Sequence, residues 1–242
     1  MYYNENIRPY LIINGKSSRT VNGLLISSLA PITKPPIRTK IETIDGRDGD
    51  IVTTLGYGAY DKAVEIGLAG DYDVDDVIDF FNSSGRVVFS NEPDKYYKFS
   101  IYKQIDLERL IRFKKAKVIF HTQPFKFSES ETPKHFSNIQ GVITVRNNGN
   151  IKSRPTITLN GIGQSKFYLN GVQLLTIDFG YIAKTIIIDT EAMNAYAEDG
   201  QLLNRSIAGD YDKISLITGS NTIRFDGGVI NSLEIANYSR WI

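Results

Sequence analysis

No cysteine occurs in the 242-residue chain, which removes disulfides, zinc–thiolate centres, iron–sulfur clusters and thiol catalysis together. Histidine is nearly as scarce: with only His121 and His135, a multi-histidine metal site cannot be assembled. A surplus of charge is missing too. Lys and Arg number 28 against 27 Asp and Glu, so the formal net charge of +1 calls for neither nucleic acid nor an anionic membrane. Apolar runs stay well short of the roughly 20 residues of a membrane span. The opening "MYYNENIRPYLIING" lacks a basic leader and an apolar stretch after it, so no signal peptide is expected. The sequence holds no G-x-S-x-G elbow, Walker loop or dinucleotide fingerprint. No catalytic residue, metal ligand or cofactor is therefore expected.

Isoleucine, tyrosine, phenylalanine and threonine are plentiful, and glycine-bearing turns recur, which favours a mostly β protein. In the first half "YLIING" closes on Asn14-Gly15, a hairpin signal, and "GLLISSL" follows. "KPPIRTKIETIDG" sets Ile37, Thr39, Ile41 and Thr43 against Arg38, Lys40, Glu42 and Ile44, a period of two. "VVFSN", "YYKFSIYKQI" and "KAKVIFHTQPFKF" continue the strand pattern. One helix interrupts them near residues 73–82: Val74, Val77, Ile78 and Phe81 form an apolar stripe, with Asp73 as N-cap and Gly85 after the end.

A polar, aperiodic stretch at 131–138 reads as a linker between domains at 1–130 and 139–242. Beyond it the pattern is purely β, from "GVITVRNNGN" to "INSLEIANYS", and Asn148-Gly149, Asn160-Gly161 and Asn170-Gly171 are expected to supply positive φ angles at hairpin turns. Short strands at regular spacing over about 100 residues suggest a two-sheet sandwich. The halves share no internal repeat.

The densest polar cluster is "IDGRDGD": Asp45, Gly46, Arg47, Asp48, Gly49 and Asp50. Acid–base work on a glycoside needs two carboxylates facing each other across a cleft, and nothing marks a second member on another strand. A rigid turn is the better reading. Gly46 and Gly49 supply the unusual φ, and Arg47 is free to pair with a carboxylate in the chain or in a neighbouring subunit. "DYDVDDVIDFFN" imitates a calcium loop through Asp71, Asp73 and Asp75, but Asp76 and Asn82 stand where an EF-hand places glycine and glutamate. Lys114, Lys115 and Lys117 mark a solvated strand end. Trp241 and the tyrosines of the second half are candidates for stacking on a sugar, against core or interface packing.

The order of "IDGRDGD", the capped helix, "NSSGRVVFSNEPDKYYKFSIYKQI" and "VIFHTQPFKF" resembles the N-terminal domain of distal tail (Dit) proteins of long-tailed, non-contractile phages. "NNGNIKSRPTITLNGIGQSKFYLNG", the stretch from "IIIDTEAMNAY" to "TIRFDGG" and the closing "YSRWI" are similar to the galectin-like sandwich of that family. The resemblance implies a tail-tube-like N-terminal β domain and a galectin-like C-terminal sandwich. It also implies a structural virion protein, not an enzyme, forming a homohexameric ring at the distal end of the tail after assembly in the host cytoplasm. The implied partners are further copies of the chain, the tail tube protein, the tail-tip protein that carries the tail-associated lysin, and receptor-binding components. DNA is implied only in passage through the channel, and no membrane. The alternative is a carbohydrate-binding module for host-surface glycans.

Overall fold

The computed structural model describes residues 8–242; residues 1–7, part of the stretch read for a leader, lie outside the described residues. The chain divides into two compact units, the first reaching Glu129 and the second beginning at Ser130.

Unit one contains strands β1 (Leu11–Ile13), β2 (Lys16–Ser17), β3 (Leu24–Ser28), β4 (Ile37–Thr43), β5 (Asp50–Tyr57) and β6 (Tyr60–Leu68). Helix α1 (Val74–Phe81), β7 (Ser84–Phe89), β8 (Lys95–Ser100), helix α2 (Leu107–Phe113) and β9 (Lys115–Ser128) complete it. Seven strands form one antiparallel sheet in the order β2-β1-β7-β8-β9-β6-β3. Asn14 and Gly15, with φ of 49° and 87°, make the expected tight turn between β1 and β2. One face of the sheet is apolar, and the helices supply Val77, Phe80, Phe81 and Leu110 to the same core. Phe120 is its centre: the rings of Phe81, Phe89 and Phe99 lie 5.3–6.2 Å from it. Aromatic pairs of this geometry add about 0.5–1.5 kcal/mol each beyond the area they bury.

Helix α1 starts where its capping chemistry directs. Asp73 Oδ1 accepts the backbone N–H of Asp75 at 2.8 Å, and Asp75 and Asp76 occupy the first turn. The C-cap is Asn82; Gly85 lies inside β7. Helix α2 was not singled out by the sequence pattern, although its own cap, Asp106, accepts the Arg109 N–H at 2.8 Å.

Unit two comprises β10 (Lys134–Ser137), β11 (Val142–Asn147), β12 (Thr156–Ile162), β13 (Gln164–Leu169) and β14 (Val172–Asp178). It continues with β15 (Lys184–Asp189), β16 (Asn194–Tyr196), β17 (Ile207–Gly209), β18 (Gly219–Asp226) and β19 (Val229–Ala236). Two five-stranded antiparallel sheets result, β10-β19-β12-β15-β16 and β11-β18-β13-β14-β17. Their facing side chains, among them Ile157, Leu159, Ile188 and Leu233 from one and Phe167, Leu175, Ile177 and Ile223 from the other, close one core.

Three details differ from the sequence reading. The stretch expected as a linker holds β10, which pairs with β19 from Lys134↔Ile235 to Ser137↔Ser232. Asn170-Gly171 does make a positive-φ hairpin turn, but Gly149 and Gly161 have no positive φ. Gly149 is needed for space, since a Cβ there would stand 1.8 Å from the Arg240 carbonyl oxygen. Asn160-Gly161 lies within β12 at an irregularity in its pairing with β19. Among the described residues no helix is long and apolar enough to cross a membrane.

Candidate functional site

Strands β4 and β5 leave the main sheet as a separate two-stranded ribbon. Its root is fixed: Gly58 N–H donates to the Pro36 carbonyl at 2.8 Å, and the Tyr57 ring meets Phe125 of β9 edge-on at 5.5 Å. Beyond the root the two strands pair from Ile37↔Tyr57 to Thr43↔Asp50, and every residue of β4 is exposed. Ile41 and Val52, paired directly, are each 59% exposed, and Leu55 is 55% exposed. A two-stranded hairpin is marginal in water and gains independent stability only when its apolar side is covered. Ile37, Ile41 and Val52, in register on one side of the ribbon, therefore form a surface suited to docking rather than to solvent.

The cluster Asp45, Gly46, Arg47, Asp48, Gly49 and Asp50 is the tip of this arm. Gly46 and Gly49 take φ of 79° and 77°, the left-handed values that glycine adopts without strain. Arg47 N–H donates to the Ile44 carbonyl at 3.2 Å, and Thr43 Oγ1 donates to Asp50 Oδ1 at 3.1 Å. Among the described residues the carboxylates of Asp45 and Asp48 have no hydrogen-bond or ion-pair partner, and Arg47 pairs with no carboxylate of its own chain. These groups stand in solvent at the end of a protrusion, with no facing wall on which to hold a substrate.

Two polar clusters sit on the sheet itself. On its solvent face Asp61 Oδ1 is 2.9 Å from His121 Nδ1, and Lys103 Nζ is 2.5 Å from Asp61 Oδ2. Hydrogen bonds from Lys103 and His121 hold the Asp61 carboxyl below its ordinary range. His121 is thus a satisfied strand histidine, and His135 is paired across strands with Glu234 at 3.2 Å. At one end of the core face Lys62 is 3% exposed, donating to the Pro31 carbonyl at 3.2 Å. Nearby, Glu92 accepts from Lys126 at 2.8 Å and from the Tyr97 hydroxyl at 2.5 Å. Burial lowers the Lys62 ammonium to about 8 despite the attraction of Glu92. Nothing in the sequence pattern marked Lys62, which occupies a position where alternation calls for an apolar side chain.

In unit two the tyrosine best placed as a platform is Tyr168, but the Arg224 guanidinium stands 4.1 Å over its ring and also pairs with Asp226. The guanidinium covers one face of that ring. Tyr181 is fully exposed on the β14–β15 connection with Ile182, and Trp241 is half-buried. Among the described residues no three His, Asp or Glu side chains converge to hold a metal ion.

No protein-family model and no curated protein matches the sequence. The fold, by contrast, is shared with solved structures along nearly its whole length. The crystal structure of the Dit protein of phage SPP1, a hub of the adsorption apparatus in phages infecting Gram-positive bacteria, superposes with a TM-score of 0.68 at 16% identity. The match covers 97% of this chain and 99% of that one. A chain of the phage P2 baseplate in its activated conformation with Ca gives 0.55 at 10% identity, over 98% of both chains. The corresponding structure with Sr gives 0.54 at 10% identity, over 94% of this chain and 97% of that one. The chain has the Dit-like β fold.

Proposed function

We propose that the chain is the distal tail hub of a long-tailed phage. Copies of it form a homohexameric ring that joins the tail tube to the tail tip or baseplate and leaves a channel through which DNA passes. The observation that carries this reading is the two-unit fold, shared end to end with the SPP1 hub protein. The β4–β5 arm supports the ring. A separate ribbon, exposed along all of β4 and most of β5 with Ile41, Val52 and Leu55 in solvent, calls for a cover, and a repeated head-to-tail contact can supply one and close.

In this reading unit one builds the ring, and unit two, a galectin-like sandwich, faces outward toward tail-tip and receptor-binding components. The tail tube protein lies above the ring and the tip protein with its lysin below it, in a virion assembled in the host cytoplasm. The near-zero net charge suits a channel past which DNA must slide without strong phosphate contacts. The covered face of Tyr168 weighs against a glycan module.

The test is the mass of the purified chain by native mass spectrometry, with negative-stain images of the same sample. A sixfold mass and ring-shaped particles are expected. A chain that stays monomeric at high concentration, alone and with the tube and tip proteins added, would overturn the reading.

A further inference from the structure

On the solvent face of unit one, a groove of about 690 Å³ runs over β7, β8 and β9. Its charges are Arg86 and Lys98, and no acidic side chain lines it. The two cations are direct partners across β7 and β8. Like charges in that register weaken a sheet, so their placement is a cost to the isolated subunit. Both are held over aromatic rings, Arg86 at 5.8 Å from Tyr96 and Lys98 at 5.2 Å from Phe127, and those rings stack at 5.4 Å. The nearest acid, Glu129, reaches Arg86 only at 3.9 Å. Two adjacent cations match a ligand that carries paired carboxylates.

The tip of the arm has that chemistry. Among the described residues Asp45 and Asp48 are without partners. A copy cannot serve itself. Seven residue pairs at roughly 3.4 Å each carry the tip about 24 Å from its root. That root lies at Phe125, two residues from the groove-lining Gln123.

We infer that the tip of the β4–β5 arm of one copy seats in the Arg86–Lys98 groove of the next, with Asp45 and Asp48 between the two cations. The inference rests on the ring reading and specifies its contact. Tip and groove are different surfaces, so the contact runs head to tail and repeats around a ring.

The absence of cysteine makes the test clean. A chain carrying Arg47→Cys is mixed with one carrying Gln123→Cys and treated with a short bis-maleimide; a tip-to-groove crosslinked dimer is expected, weakening as salt is raised. Arg86→Glu with Lys98→Glu in the groove chain should lower its yield about tenfold. Asp45→Lys with Asp48→Lys in the tip chain should restore it. The tip reversal alone, made on residues wholly in solvent, should lower the yield without touching the sheet and so guards against a misfolded groove variant. If yield and ring mass both ignore these reversals, the seating is wrong while the ring stands. If native chains give neither ring nor crosslink, both fall. If groove reversal spares the crosslink but abolishes retention on immobilised duplex DNA, the groove takes phosphate and the inference is overturned.

Discussion

At the residue scale, Lys62 ties the chemistry of the fold to pH. Its folded-state pKa of about 8 lies below the ordinary 10.5 because burial penalises the ammonium. Below pH 8 both folded and unfolded chains hold the proton, and the folded one bears the cost of a buried charge. Between 8 and 10.5 the folded chain releases it first, so this residue adds stability as pH rises through that window. The span corresponds to about 3 kcal/mol at 1.36 kcal/mol per pKa unit. Tyr60 and Tyr97, both pushed up by burial, act in the opposite sense at still higher pH. Chemical denaturation of the native chain and of Lys62→Met from pH 7 to 10.5 separates the two, because the tyrosines remain in both. The native-minus-variant difference is expected to climb by that amount; a flat difference would show that Lys62 keeps its proton in the fold throughout this range.

At the element scale, the arm is expected to be dispensable for folding and indispensable for assembly. Replacing residues 38–56 by a short glycine-containing turn keeps the Tyr57–Phe125 and Gly58–Pro36 contacts at the root. Equilibrium unfolding should change by less than about 1 kcal/mol, since the residues removed bury little, while the sixfold mass of the proposed ring is lost. This division also explains what the sequence revealed. Strands with one buried face, such as β12 with Ile157 and Leu159 inward, announce themselves by alternation. Strand β5 does not, because Leu55 is inserted at an irregularity and the two threonines of "DIVTTLGY" interrupt its apolar alternation. Strand β6 is disguised by Lys62 and Gly67. Helix α2 is only seven residues long, yet Asp106 before Leu107, Leu110 and Ile111 was a readable start signal. The tip was legible because its glycines and aspartates speak of turn chemistry. The groove was not, since it exists only once Arg86 and Lys98 are brought opposite each other.

At the scale of the whole molecule, each of the two units encloses its own core, around Phe120 in one and between two five-stranded sheets in the other. Residues 130–242 expressed alone should therefore unfold in one cooperative transition by circular dichroism, with the midpoint unaffected by Lys62→Met or by loss of the arm in the full chain. A broad, non-cooperative melt would show that the second unit depends on the first. Finally, the exposed ribbon has a bearing on the lifetime of the unassembled subunit. Its strands end in two open hydrogen-bonding edges with isoleucine, valine and leucine in water, the pattern that templates irreversible cross-β aggregation. Arg38, Lys40 and Glu42 along β4 and the aspartates at the tip act as gatekeepers against that outcome. Productive assembly is then a race between docking and precipitation, won by keeping free subunits dilute until a partner surface covers the ribbon.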